Sequence, residues 1–198
     1  MNEQATDLDL FAHWSAGDNA AGGALIKRHF SALHRFFSTK AHGHEEDLIQ
    51  TTLVACIEAR DAFRGESSFR TYLLKIARFQ LFSHYRKLYR RQDIDFTTTS
   101  ICDLGISPSG ALLQREESEL LARALQLVPL DQQIALELTY WEELAAAEVA
   151  QVLGIPENTV YSRLRRGRAQ LREALERLSP VAEERERTLA LLTGSDGE

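Results

Sequence analysis

The chain has 198 residues, 44% hydrophobic and 26% charged, with a formal net charge of -6, enough for one domain or two small ones with packed cores. No stretch approaches the ~20 apolar residues of a membrane span, and the opening MNEQATDLDL is too polar and acidic for a signal peptide. Cys56 and Cys102 form no CxxC pair, which leaves no disulfide framework or cysteine zinc site, so the sequence reads as cytoplasmic and not inserted in a membrane.

The apolar periodicity is helical nearly throughout, and no strand-like alternation persists between turn signals. Leu8, Phe11 and Trp14 open an amphipathic segment that stops near Gly17-Asp18. A second helix is predicted from about Ala20 to Ser38, with Leu25, Ile26, Phe30, Leu33 and Phe37 on one face. After the loop AHGH, a third is predicted from about Glu45 to Ala62. The turn RGESS leads to a fourth, from about Phe69 to Arg91. Residues 92–115 read as a flexible linker rich in Thr, Ser, Gly and Pro. The scattered apolars of that linker (Phe96, Ile101, Leu104, Ile106) predict docking on some surface. A second domain starts near Glu116, with a helix closed by Pro129, a helix that Asp131 can cap, and two more at about Ala145–Leu153 and Glu157–Leu178. The remaining residues, 179–198, form an acidic tail with a helical pattern from Val181 to Leu192. The expectation is an all-α protein of two small helical domains, 8–91 and 116–178, the second containing a helix-turn-helix.

Net charge hides a segregation. From Arg64 to Arg91 there are eight Lys/Arg and one acid, Glu66; from Arg163 to Arg177 there are six Lys/Arg and two acids. The rest of the chain holds nine bases against twenty-six acids. Two basic islands in an acidic background predict a polyanion gripped at two places. Seven of the sixteen aromatics also lie between Phe63 and Tyr89. Most helically spaced aromatics belong to a core, but this segment is apolar on too many sides for one buried stripe. Rings left outside among arginines suit stacking on unpaired bases.

The second island follows a short turn, Leu153-Gly154-Ile155-Pro156, between two helices, which is the arrangement of a helix-turn-helix. At 100° per residue, Val160, Leu164, Gly167, Leu171, Leu175 and Leu178 form a buried stripe. Asn158, Thr159, Ser162 and Arg166 are placed opposite it, with Arg163 and Arg165 flanking. Such side chains read base edges or hold phosphates in a DNA major groove. On this reading Arg166 reaches a base, and Arg163 and Arg165 reach phosphates.

The segment GIPENTVYSRLRRGRAQLREAL, preceded by VPLDQQIALELTYWEELAAAEVAQVL, closely resembles region 4 of bacterial sigma-70 family factors, whose helix-turn-helix reads the -35 promoter element. The earlier segment EDLIQTTLVACIEARDAFRGESSFRTYLLKIARFQLFSHYRK resembles region 2 of the extracytoplasmic-function (ECF) group. The resemblance implies a sigma factor that binds core RNA polymerase and directs it to promoters, with no cofactor and no catalysis of its own. It implies core polymerase binding by Asp47, Leu48, Gln50 and Leu53. For the melted -10 element it implies Arg64, Gly65, Glu66, Ser67, Ser68, Phe69, Arg70, Tyr72, Arg78, Arg86 and Lys87. For the duplex -35 element it implies Asn158, Thr159, Ser162, Arg163, Arg165 and Arg166. An anti-sigma factor is a further partner that the resemblance admits. The chain departs from the family at Phe79 and Ser83, where Asn and Asp are usual, and both positions fall in the DNA-facing helix. Pro156 replaces the commoner Ser or Thr before the recognition helix and removes a side-chain cap.

Two other readings compete. A helix-turn-helix regulator acting without replacing the sigma subunit explains residues 116–178 but leaves Asp47–Arg91 unexplained. A metal site at His42, His44, Glu45, Glu46 and Asp47 competes with a solvated loop whose acids suit a helix N-terminus, and no second cluster converges on it.

Overall fold

In a computed structural model, residues 5–41, 43–90, 93–105 and 116–193 are described. His42, Arg91 and Ile106, singled out above, lie outside them. The chain divides into two compact units, one ending at Ser83 and the other beginning at His84. Among the described residues the regular structure is helical, apart from one isolated antiparallel bridge between Ser100 and Pro129.

In the first unit, helix α1 (Asp7–Ser15) starts from a reciprocal cap. The Thr6 hydroxyl accepts the Asp9 N–H, and the Asp9 carboxylate accepts the Thr6 N–H at 2.9 Å. The Thr6 hydroxyl also donates to the Asp9 carboxylate at 2.7 Å, and that bond, followed by the one from the Thr6 N–H, holds the Asp9 carboxyl below the usual carboxylate range. Asp18 caps α2 (Asn19–Ser38) through the N–H groups of Ala20 and Ala21. Asp7 ties the two helices together, bonding Arg28 and His29 at 2.6 Å each. They also approach closely at Gly22, where a Cβ would stand 2.5 Å from the Trp14 ring.

Helix α3 (Glu45–Glu58) stops short of the expected Ala62 and continues as a 3-10 turn, Arg60–Ala62. Ser68 then caps α4 (Phe69–Leu88), its hydroxyl accepting the Thr71 N–H at 3.1 Å. Leu25, Leu33, Phe37, Cys56, Leu73, Leu74 and Leu81 are fully enclosed. Burying each aliphatic side chain is worth about 1.5–3 kcal/mol. The same enclosure raises the Cys56 thiol pKa to about 11.

In the second unit, residues 93–105 lie against the start of α6 (Leu130–Tyr140), as the apolar pattern of the linker predicted. Phe96 and Ile101 are buried. The carbonyls of Thr99 and Phe96 accept the Leu130 and Asp131 N–H groups at 3.0 Å, and Gln132 donates to the Thr97 carbonyl at 3.1 Å. Helix α6 therefore has its first donors satisfied by the linker backbone. Asp131 is not its cap, contrary to expectation, because its carboxylate is engaged elsewhere.

Against α6 pack α7 (Ala146–Leu153), α8 (Glu157–Leu178) and α9 (Ala182–Thr193), while α5 (Glu116–Leu125) packs on α8 and α9. The helical pattern of the tail thus becomes α9, which packs mainly on α5 with Thr188 and Leu192 buried. Nine residues of α6 in a row, Leu130 to Leu138, are buried, so α6 is the central rod of this unit.

Candidate nucleic-acid interface

Helices α7 and α8 are held by the turn the sequence marks. Gly154 sits at φ 66° and ψ 38°, a left-handed conformation that glycine adopts without a Cβ penalty, and its N–H bonds the Ala150 carbonyl. Val149, Leu153 and Val160 fill the angle between the two helices and are buried. Pro156 precedes α8 with no side-chain cap, and the Thr159 N–H turns back to the Pro156 carbonyl at 2.9 Å.

The buried stripe of α8 is observed at Val160, Leu164, Gly167, Leu171 and Leu175. Gly167 is there because α6 comes close, and a Cβ would meet Leu136 at 3.3 Å. Arg163 is a correction. Only 9% exposed, it points inward, and its Nη1 bonds the buried Asp131 carboxylate at 2.5 Å. At 100° per residue Arg163 lies at the edge of the apolar stripe, and a buried carboxylate draws it in. It is therefore unavailable to a phosphate.

Outside remain Asn158, Arg165 and Arg166, all exposed, with Thr159 and Ser162 half-buried. The Ser162 hydroxyl donates to the Thr159 carbonyl and keeps its acceptor capacity. Including Arg163 and Ala174 in the buried arc turns the outer face toward Arg165, so Arg165 shares the central position assigned above to Arg166. Tyr161, which the sequence reading passed over, is also exposed on α8. Arg168, likewise unassigned, is exposed and reaches the Tyr140 hydroxyl at 3.0 Å.

The first basic island is built differently. Arg64, Gly65, Glu66 and Ser68 are exposed and Ser67 is half-buried. Gly65 at φ 72° makes the turn. Phe69 is a second correction. At 2% exposure it closes the core, with Trp14, Phe11, Phe63 and Tyr72 around it at ring-centroid distances of 6.0–6.5 Å. It cannot stack on a base. Tyr72 is half-buried, donates its hydroxyl to the Ala59 carbonyl at 2.8 Å and lies against Phe63; burial raises its pKa.

Along α4, Arg70, Arg78 and Arg86 are half-buried, and Lys87 is exposed. Arg78 lies over the Phe82 ring, 4.3 Å from its centroid. Phe79, noted only as a departure from the family pattern, is the ring that faces out.

On α3, Asp47 and Gln50 are exposed one turn apart, and Leu53 is half-buried. Leu48 is a third correction, since at 5% exposure it belongs to the core. Val54 and Ile57, which sequence reasoning missed, are exposed and extend the Asp47–Gln50 face by helical spacing. Among the described residues no group of three or more His, Cys, Asp or Glu gathers as a metal ion would need.

Two family models match the chain, Sigma-70 region 2 over residues 25–91 and Sigma-70, region 4 over residues 118–171. The ECF RNA polymerase sigma-E factors of Escherichia coli (strain K12) and Salmonella typhimurium (strain LT2) are each 28% identical over 178 residues, spanning 85% of this chain and 93% of theirs. That of Haemophilus influenzae is 25% identical over 188 residues, spanning 90% of this chain and 100% of its own. Among the solved structures to which the chain is similar are two at 26% identity. CnrH in complex with the cytosolic domain of CnrY has a TM-score of 0.64 over 86% of this chain and 97% of that one. The sigma factor RpoE in complex with the anti-sigma factor NepR from Bartonella quintana has a TM-score of 0.61 over 76% and 94%.

Proposed function

We propose a division of labour between the two units of this chain, which belongs to the sigma-70 family, in its ECF group, and is a sigma factor for transcription initiation. The region-2 segment takes core RNA polymerase on the α3 face of Asp47, Gln50 and Leu53. It takes the melted -10 strand on the Arg64–Ser68 loop and α4. The region-4 segment places α8 in the major groove of the -35 element, with Asn158, Ser162, Arg165 and Arg166 toward the bases and phosphates.

The observation that carries the DNA assignment is the outer face of α8. Exposed arginines and hydrogen-bonding side chains stand on the helix that follows the Gly154 turn, while the opposite face is locked onto α6. A helix-turn-helix regulator acting without replacing the sigma subunit would use the same face. It would leave the match of residues 25–91 to Sigma-70 region 2 without a role.

The family's role is non-enzymatic, and we assign the chain no catalytic step or cofactor. No helix among the described residues is long and apolar enough to cross a membrane, and work with polymerase places the protein in the cytoplasm. An anti-sigma factor is proposed as a regulator, supported by the RpoE–NepR complex among the similar structures.

The test is transcription in vitro with core polymerase on a randomised promoter pool, with the RNA starts sequenced. A shared -35/-10 pattern, absent without this protein, is the expected result. DNA binding without core polymerase and no new start sites would favour the regulator reading.

A further inference from the structure

The Arg64–Ser68 loop has a ring at each end. Phe63 leads into it and Phe69 leads out, with ring centroids 6.0 Å apart and planes at 85°. Its tip is open: a Cβ on Gly65 would meet nothing within 4 Å, and Arg64 and Glu66 are exposed. The shape of the loop is therefore decided at its two stems. On the outgoing side the Ser68 hydroxyl caps α4 and meets the Thr71 hydroxyl at 2.8 Å. On the incoming side Tyr72 lies 4.9 Å from Phe63 and donates to the Ala59 carbonyl.

The ring that joins the stems comes from neither of them. Phe11 of α1 lies 4.6 Å from Phe63, edge-on at 67°, and 6.3 Å from Phe69. Helix α1 is itself held firmly. Asp7 bonds Arg28 and His29 at 2.6 Å each, Trp14 lies over Gly22, and the Arg60 guanidinium stands 5.8 Å from the Trp14 ring. Trp14 is 4% exposed and anchors the helix, whereas Phe11 is half-buried and turned to the loop stems. Helix α1 also precedes the Sigma-70 region 2 match, which begins at residue 25.

We propose that Phe11 is a positioning residue for the Arg64–Ser68 loop, holding Phe63 and Phe69 at the separation in which the loop receives its ligand. This rests on the assignment of that loop to the melted -10 strand. It goes beyond it by giving α1, which has no DNA or polymerase contact in that assignment, a share in promoter opening. A short exposed loop binds only through the fraction of molecules in which it is correctly set, and the apparent affinity falls with that fraction. Loss of Phe11 unties the stems without removing any group proposed to touch DNA. The competing account is that α1 only completes the core, so that any equal loss of stability would do equal harm.

The experiment uses the full chain with core polymerase on promoters that the wild-type protein selects, well below the melting temperature of every variant. Opening is read by permanganate reactivity of -10 thymines. Phe11→Ala is expected to lose about 5- to 50-fold in open complex, with faster hydrogen exchange at residues 64–68 and wild-type affinity for core polymerase. Phe37→Leu is the stability control. It weakens the same unit from an enclosed site about 12 Å along α2 from His29, the α2 residue beside Phe69, and is expected to open normally. In a Glu66→Ala/Ser67→Ala background, Phe11→Ala is expected to cost less than about twofold more, because it acts through the loop. Phe11→Leu, which keeps bulk without the ring, stands in if the Ala variant does not fold, with a loss at the low end of the range. Wild-type opening by the Phe11 variant overturns the inference. So do equal defects in the Phe11 and Phe37 variants, or losses that multiply when the loop and Phe11 changes are combined. Normal opening by Glu66→Ala/Ser67→Ala alone would remove the -10 assignment of the loop, and this inference with it.

Discussion

Arg163 offers the sharpest separation of folding from DNA binding. Its guanidinium and the Asp131 carboxylate meet at 2.5 Å, with side-chain exposures of 10% and 6%. Charge centres about 4 Å apart attract by about 4 kcal/mol at an effective dielectric of about 20. Truncating one partner leaves the other charge buried, and such losses run to about 3–5 kcal/mol. Arg163→Ala should therefore lower the stability of the second unit by about that much, and its melting temperature by about 10 °C or more. The double variant Arg163→Met/Asp131→Leu, which removes both charges, should recover most of the loss. Hydrogen exchange of α6 and α8 amides in the full chain localises the effect to this unit, and binding to a -35 duplex across a salt series provides the contrast. A phosphate-contacting arginine would behave in the opposite way. Unchanged amide protection in Arg163→Ala, with weaker DNA binding and a salt slope reduced by about one ion, would refute the buried-pair account.

Other expectations follow from burial. Arg165→Ala and Arg166→Ala should keep wild-type stability, and whichever residue contacts a base should relax preference at one -35 position at a cost of about 1–3 kcal/mol, readable by selection from randomised -35 elements. Asp47→Ala with Gln50→Ala should weaken core polymerase binding in a competition assay without shifting the melting temperature. Gly22→Ala should destabilise the first unit by about 1–3 kcal/mol in a urea titration, because its Cβ would press on the Trp14 ring. The Cys56 thiol, with a pKa raised to about 11, should resist iodoacetamide at pH 8 in the folded protein and react once urea exposes it, as mass spectrometry would show.

What was legible in the sequence follows from what periodicity and turn chemistry encode. The start and end of α8 were readable because Pro156 precedes it and an unbroken apolar stripe runs to Leu178. Gly154 was readable because the turn calls for a left-handed residue. The end of α3 was not, since a 3-10 turn continues its pattern without a punctuating residue. Neither was the division between Ser83 and His84, which falls inside a continuous helix.

The misplaced site residues arose in two ways: Arg163 from a helical wheel, Phe69 and Leu48 from a family resemblance that names positions without their burial. A wheel sorts residues by polarity, whereas burial is settled by what the neighbouring helix offers. Arg163 was assigned outward because it is charged, but Asp131 on α6 supplies a buried countercharge. Phe69 begins α4 under the rings of Phe11 and Trp14, more than fifty residues earlier in the sequence, and of Phe63 across the Arg64–Ser68 loop.

The converse holds for Phe79. Its outward placement forgoes most of the about 1.5–3 kcal/mol that burying a phenyl ring would contribute, and costs the fold little, because the ring is solvated in the unfolded chain as well. Arg165 and Arg166 forgo nothing comparable, because a solvated guanidinium is at home on a surface. Exposure is thus weak evidence by itself on both helices proposed to face DNA. On α8 it is what folding alone would produce, and only the preceding turn and the arginine density argue for a ligand. On α4 one exposed ring is also compatible with folding alone, as the exposed Leu8, Val54 and Leu88 are, and only the acid-free basic helix around it argues for a partner. Phe79→Ser should therefore leave the first unit as stable as wild type, or slightly more stable in a urea titration, while the open complex weakens. A clear loss of stability in that variant would mean that the ring serves the fold, and the low cost assigned to its exposure would be wrong.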